Sequence, residues 1–435
     1  MEWIVFFLVL FSFFLCYSAK KTYFYIYSLL FPLFFKFFLF KFGFGLAYTI
    51  LNAQILAFLG IFFISRIFQK YPKLFVYLFI YIIYFLFISI VQSVSFLTRW
   101  NEYKMPFIMM IWALMLLDDI RKGNVAANKL RKFFVCFVIF EILLGVLQYL
   151  IEPIGDFFRN VQYVTKGGEL TEVRDVLESG YMVGTLGGAS NYSDFMASCF
   201  VILVLYFFRK KKMETRYWVL LASIVFAILF SGVRTPFLIV MIAGLIVTYK
   251  YQRHMFKLLF LIFLVLIIFG GGLNIGTVDS FSSFESGAIF RTFSLFSYNS
   301  DTLKETSTFS LTICMIPYVL ANPLIGLGLY HKGGYMLELW NRSLGEDISI
   351  SDAQLAFLIA EIGLLGLIIY LWPFYRIIKE VGKEYVNNKN FIIYFLLLLV
   401  MSIVDPGIME TNQLFLFFYS VVFWIDPIPS KNLIN

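Results

Sequence analysis

The sequence predicts an all-α, polytopic transmembrane helical bundle. Three observations carry this. Of 435 residues, 61% are apolar and only 14% are charged, where a soluble domain carries about 25% charge. Apolar runs long enough to cross a bilayer, about 20 residues each, recur along the chain. The connections between them alternate between basic and acidic. A soluble core of this size cannot hide 7 Trp, 27 Tyr and 55 Phe, because large contiguous apolar surface must face something other than water. Composition therefore excludes a cytosolic enzyme, a disordered chain and a secreted disulfide scaffold.

Thirteen candidate spans follow: 3–19, 22–40, 46–65, 74–97, 104–118, 133–151, 189–208, 217–233, 235–250, 258–274, 353–375, 391–404 and 411–425. Span 74–97 carries no charge. Span 22–40 is interrupted by Pro32 and Lys36. Spans 104–118, 235–250, 391–404 and 411–425 are short, so twelve is the lower count. The first run differs from a signal peptide: Glu2 stands where a basic residue belongs, and Lys20-Lys21 follows the apolar run.

Loop charge sets the expected orientation, because Lys and Arg favour the cytoplasmic side. Loop 118–132 has net charge +3 and loop 209–216 has +4. Loops 250–257 and 376–389 are also basic. These four are expected inside. Segments 152–188, net −3, and 275–352, net −4, are expected outside. The second is too long to be a mere connector. Within it, 308–321 is apolar but too short to span, and reads as a helix at the interface. The whole chain reads as one integral membrane domain, 1–435. It shows no internal repeat and no pair of broken helices of the transporter kind.

Cys16, Cys136, Cys199 and Cys314 show no CxxC spacing, and the histidines are only His254 and His331. No cluster has zinc-ligand spacing, and no Walker-type glycine loop appears. Neither a metal nor a cofactor is expected. Nucleic acid is an unsuitable partner, since the basic residues sit in short loops between apolar runs.

Polar residues at the outward mouth of a bundle are candidates for function. Arg234 lies in SGVRTP between two spans. It either snorkels at a helix end or grips an anion with its planar fork. Arg291, in GAIFRTFSLF, is either a solvated loop residue or a second anion contact. Two convergent arginines match a pyrophosphate. Asp352 either caps the span that follows it or serves as a base for a hydroxyl. His331 is the outward histidine. The stretch 184–194, GTLGGASNYSD, opens span 189–208 with small polar groups that can line a sugar site or simply cap a helix. Asn-Pro and two glycines in NPLIGLGL, 322–329, read as a tight turn. Glu141 and Glu361 fall inside spans, and neither has a clear basic partner in the sequence. Such buried carboxylates are protonated or hydrogen-bonded, as packing groups or part of a proton path.

Four stretches together carry a resemblance. GTLGGASNYSDFMA, SGVRTPFLIV, the long outward segment with Arg291 and NPLIGLGL, and SDAQLAFLIAEIGLLG stand in this order. In order and expected membrane side they resemble the bacterial O-antigen and capsular polysaccharide polymerases of the Wzy family, relatives of the O-antigen ligases. The resemblance covers about residues 130–375. Ser351-Asp352 stands where the ligase branch carries a His-Asn pair, which favours polymerase over ligase. The resemblance implies a GT-C-like fold in the bacterial inner membrane. It implies a metal-independent glycosyltransferase working at the outer leaflet, joining oligosaccharide repeat units carried on undecaprenyl pyrophosphate. Arg234 and Arg291 are then the pyrophosphate grip and Asp352 the acceptor-side carboxylate. Asn191, Tyr192, Asp194, His331 and Arg174 are substrate contacts. A chain-length regulator and a flippase are the implied partners. The alternatives are a ligase-like glycan transferase and a lipid-linked oligosaccharide flippase or transporter.

If Arg234 grips pyrophosphate, Arg234→Ala abolishes chain extension while insertion into the membrane is kept. Arg234→Lys rescues poorly, because a point charge does not replace a bidentate fork. Glycan length on a gel, beside membrane yield of the variant, checks both.

Overall fold

Every element among the described residues is a helix. The structure, a computed structural model, describes residues 2–35, 44–159, 182–186, 189–208, 214–251, 319–328, 354–383, 388–404 and 411–425. The helices are α1 (Glu2–Ala19), α2 (Lys21–Leu30), α3 (Phe44–Ile64), α4 (Ile67–Lys70), α5 (Lys73–Gln92), α6 (Phe96–Tyr103), α7 (Met105–Arg121) and α8 (Ala127–Leu150). They continue with α9 (Glu152–Arg159), α10 (Ala189–Phe207), α11 (Thr215–Ser231), α12 (Arg234–Tyr251), α13 (Gln354–Gly382), α14 (Asn388–Val404), α15 (Thr411–Tyr419) and α16 (Val421–Trp424). Among the described residues, four stretches are long and apolar enough to cross a membrane: α5, α8, α10 and Phe357–Gly382 of α13. Shorter apolar helices accompany them in α1, α3, α11, α12, α14 and α15–α16. Span 258–274 lies outside the described residues. So do most of segments 152–188 and 275–352, including 308–318 of the expected interface helix.

Four expected spans are not the continuous helices the hydropathy suggests, and one of them, 411–425, divides at Ser420 into α15 and α16. In 22–40, α2 stops at Leu30 and a π-helical turn, Phe31–Phe35, follows. Pro32 has no N–H, so the Ser28 carbonyl loses its helical donor, and Gln54 Nε2 supplies one at 3.1 Å. In 74–97, α5 ends at Gln92, where Ser93 turns left-handed and Val94 N–H closes on Ser89 O at 2.9 Å. In 353–375, α13 runs on to Gly382 and is interrupted at Gly363 (φ 69°, ψ 177°).

Burial sorts the helices into layers. α7 buries every side chain from Met105 to Asp119, and α10 is almost as completely enclosed. Helices apolar all round belong at the centre. α5 is one-sided. It buries Leu74, Tyr77, Tyr81, Tyr84, Ile88 and Gln92, and exposes Phe75, Val76, Phe79, Ile83, Phe87 and Ile90.

One end of the bundle is held by buried acids and their cations. Asp119 accepts from Lys21 at 2.6 Å and from the Tyr25 hydroxyl at 2.8 Å. Asp118 pairs with Lys70 at 2.7 Å and Lys122 at 2.6 Å. Glu380 meets Lys383 at 3.1 Å, Arg121 at 3.4 Å and Arg376 at 3.5 Å. Tyr71, between α4 and α5, has its phenol pushed up to about 12. Burial is the main cause, and the Arg121 cation works against it. Arg131, which falls within the basic stretch 118–132, is buried in α8 and donates to the carbonyls of Val422 and Ile425 at the end of α16.

Gly363 occupies backbone space open only to glycine. An added Cβ there collides with the Leu324 carbonyl. Gly363→Ala is expected to cost about 1–3 kcal/mol from backbone strain alone, and more from the collision. Gly244→Ala in α12, where a Cβ meets nothing within 4 Å, should leave thermal unfolding in detergent unchanged or slightly raised. The two melting curves check this.

Candidate functional site

The interruption of α13 is the centre of the site. A break frees carbonyls before it and amides after it, and buried backbone groups must be bonded. The turn 322–328 supplies the partners. Leu327 N–H donates to Ala360 O at 2.7 Å and Gly328 N–H to Glu361 O at 3.3 Å. In the other direction Leu364 N–H donates to Pro323 O at 2.8 Å and Leu365 N–H to Leu324 O at 3.1 Å. The turn closes on itself through Gly326 N–H to Asn322 O at 3.0 Å. Gly326 and Gly328 both have positive φ. A Cβ on Gly326 would meet the Glu361 backbone, and one on Gly328 would meet Gln92 and Arg99. The glycines of NPLIGLG are therefore what lets this turn approach α13.

Beneath the turn lies a buried polar network. Arg99 of α6 and Glu361 of α13 are an ion pair with both side chains enclosed. Arg99 also donates to Gln92 Oε1. Gln92 Nε2 donates to Ile325 O and to Glu361 O, both at 3.0 Å. One amide thus ties α5 to the turn and to the broken helix together. The Tyr84 hydroxyl donates to Ile362 O, the last carbonyl before the break. The sequence alone offers Glu361 no basic partner. Arg99 is that partner, from a helix 262 positions away, which no local pattern reveals. One signal is present: Tyr77, Tyr81, Tyr84 and Gln92 share a helical face of α5.

A second constellation surrounds 182–186. Gln148 of α8 accepts from Val183 N–H at 3.2 Å and Gly184 N–H at 2.8 Å, and donates to Gly184 O at 2.9 Å. Glu141 accepts from Thr185 N–H at 2.9 Å and from its hydroxyl. Tyr192 is fully buried and donates to Glu141 O at 3.2 Å. Met182 N–H donates to Phe230 O at 3.2 Å. This bond joins the segment to the turn at Gly232, after which α12 begins at Arg234. α2 starts at Asp119 through Lys21, and its π-helical extension reaches Thr185 through Leu33. The 182–186 segment therefore lies toward the end opposite the acidic cluster, as does Arg99, which precedes α7.

Asn191, Tyr192 and Asp194 share the first turns of α10. Asn191 donates to Leu186 O at 3.4 Å, and Asp194 is fully buried rather than at a surface. Arg234 opens α12, and the Met182–Phe230 bond brings its turn to the segment that leads into α10. Arg174, Arg291, His331 and Asp352 lie outside the described residues. Two motif stretches that the sequence only ordered, NPLIGLG and AEIGLLG, are in direct contact. Arg99 and Gln92 were not selected from the sequence. In comparisons with known proteins, no protein family, no curated protein and no solved structure matches this chain.

Removing one member of a buried ion pair leaves an uncompensated charge, at a cost of about 3–5 kcal/mol. Arg99→Ala should lose that much, while Arg99→Met combined with Glu361→Leu should lose less than either single change. Unfolding midpoints of these variants in detergent decide it.

Proposed function

We propose that the chain is a polysaccharide polymerase that joins undecaprenyl-pyrophosphate-linked oligosaccharide repeats at the outer leaflet of the cytoplasmic membrane. The observation that carries this reading is the docking of NPLIGLG onto the break in AEIGLLG. Two of the four stretches that resemble the Wzy polymerases are built into one hydrogen-bonded unit. The bond from Met182 N–H to Phe230 O sits just ahead of the other two and brings the starts of both close together.

Of the described basic residues, Lys21, Lys70, Arg121, Lys122, Arg376 and Lys383 gather at the acidic end, while Arg99 and Lys104 lie at the other. Under the positive-inside rule that end is cytoplasmic, and the broken helix then belongs to the outer half. In the proposed reaction an acceptor hydroxyl attacks the anomeric carbon of the donor sugar, the bond to the phosphate oxygen breaks, and lipid pyrophosphate leaves. Arg234 and Arg291 neutralise the charge that develops on it. Asp352 takes the hydroxyl proton. Arg99 is a poor candidate for gripping phosphate, because Glu361 already neutralises it.

Transport of the same lipid-linked units is the second reading, and the break at Gly363 favours it. Transporters build their sites at interrupted helices.

The deciding experiment incubates purified protein in detergent with a lipid-linked repeat unit and EDTA, without nucleotide. A ladder of lengthened glycans is expected. No ladder, with the same lipid crossing the bilayer of a proteoliposome, would overturn the polymerase reading in favour of transport.

A further inference from the structure

Buried carboxylates in this bundle commonly come with cations. Asp118 touches Lys70 and Lys122, Asp119 touches Lys21, Glu361 touches Arg99, and Glu380 touches Arg121, Arg376 and Lys383. Glu141 differs. Its side chain is fully enclosed within α8. Among the described residues its carboxylate meets only Thr185, through the backbone N–H at 2.9 Å and through the hydroxyl.

The same Thr185 hydroxyl lies 3.3 Å from the Leu33 carbonyl. A hydroxyl has one proton to donate, and here it faces two acceptors. If Glu141 is ionised, that one proton serves the carboxylate or the carbonyl and not both. An ionised carboxylate without a cation is also among the costliest groups to bury. If Glu141 carries a proton, every donor finds an acceptor. The Glu141 O–H donates to Thr185 Oγ1, the Thr185 O–H donates to Leu33 O, and the Thr185 N–H donates to Glu141 Oε2.

We infer that Glu141 is a proton-binding site whose protonation is relayed through Thr185 to the π-helical turn Phe31–Phe35. The titratable groups facing it come from α10: Tyr192 and Cys199, both buried. From α2, the π-helical turn, α9, α11 and α16, no charged side chain among the described residues acts on it. Loss of the proton turns the Thr185 hydroxyl to the carboxylate and takes the donor from Leu33 O. π-Helical turns are local irregularities that recur at functional positions, and this one is the element that responds. Gly184 keeps the relay tight: it has φ +60°, and a Cβ there would meet both Glu141 and Tyr192.

The test is infrared difference spectroscopy of the purified full-length protein, titrated from acid to alkaline pH. A carboxylic-acid C=O band is expected at neutral pH. It should vanish on alkaline titration and be missing in Glu141→Gln, whose amide still donates to Thr185 Oγ1. Subtracting the variant from the wild type removes the contribution of other buried acids such as Asp194. A wild-type spectrum without that band at neutral pH, or one that Glu141→Gln leaves unchanged, would overturn the inference. If Glu141→Gln does not accumulate, Thr185→Val decides instead. The band should move to the frequency of an acid without a hydroxyl acceptor, and an unmoved band would overturn the inference.

Discussion

Inside an apolar bundle a helix can be interrupted only where another group takes over the hydrogen bonds it gives up. The packing of α13 depends on this. Pro373 removes the N–H that Ile369 O needs, and the Tyr77 hydroxyl donates to that carbonyl. Gly363 breaks the helix, and Tyr84 donates to Ile362 O. At the junction of α6 and α7, Tyr81 donates to Tyr103 O. Gln92 completes the face by bonding Ile325 O and Glu361 O. A single face of α5 thus supplies donors to three irregularities, while its other face is left to apolar contact. Gln54 does the same for Ser28 O before Pro32.

Charge is handled in a matching way. The acidic end fixes α1, α2, α4, α7 and α13 through Asp118, Asp119 and Glu380, each bonded to more than one partner. The Arg99–Glu361 pair fixes α6 to α13 at the other end. Removing two charges from water costs more than their attraction returns unless further hydrogen bonds complete them. Gln92 provides such a bond for Arg99. The pair lies beside the backbone bonds that join α13 to the turn 322–328.

Much of the fold was legible in the sequence because burial in a bundle needs only length and apolarity. Spans 46–65, 133–151, 189–208, 217–233, 235–250 and 391–404 lie close to α3, α8, α10, α11, α12 and α14. A single residue overrides hydropathy at Pro32 within 22–40, Ser93 within 74–97 and Gly363 within 353–375. NPLIGLGL was legible as a turn, since Asn-Pro and spaced glycines act locally. Its partner on α13 was not, because the contact joins segments far apart in the chain.

The sequence by itself determined that the chain is helical, how its apolar runs are spaced and where its charges cluster. These follow from composition and local propensity. Tertiary structure alone decided that Arg99 neutralises Glu361, that a glycine turn repairs the break at Gly363, and that Glu141 meets Thr185 rather than a cation among the described residues. Each of these is a pairing across the fold. Its energy comes from removing two groups from solvent together, and no residue carries that information singly.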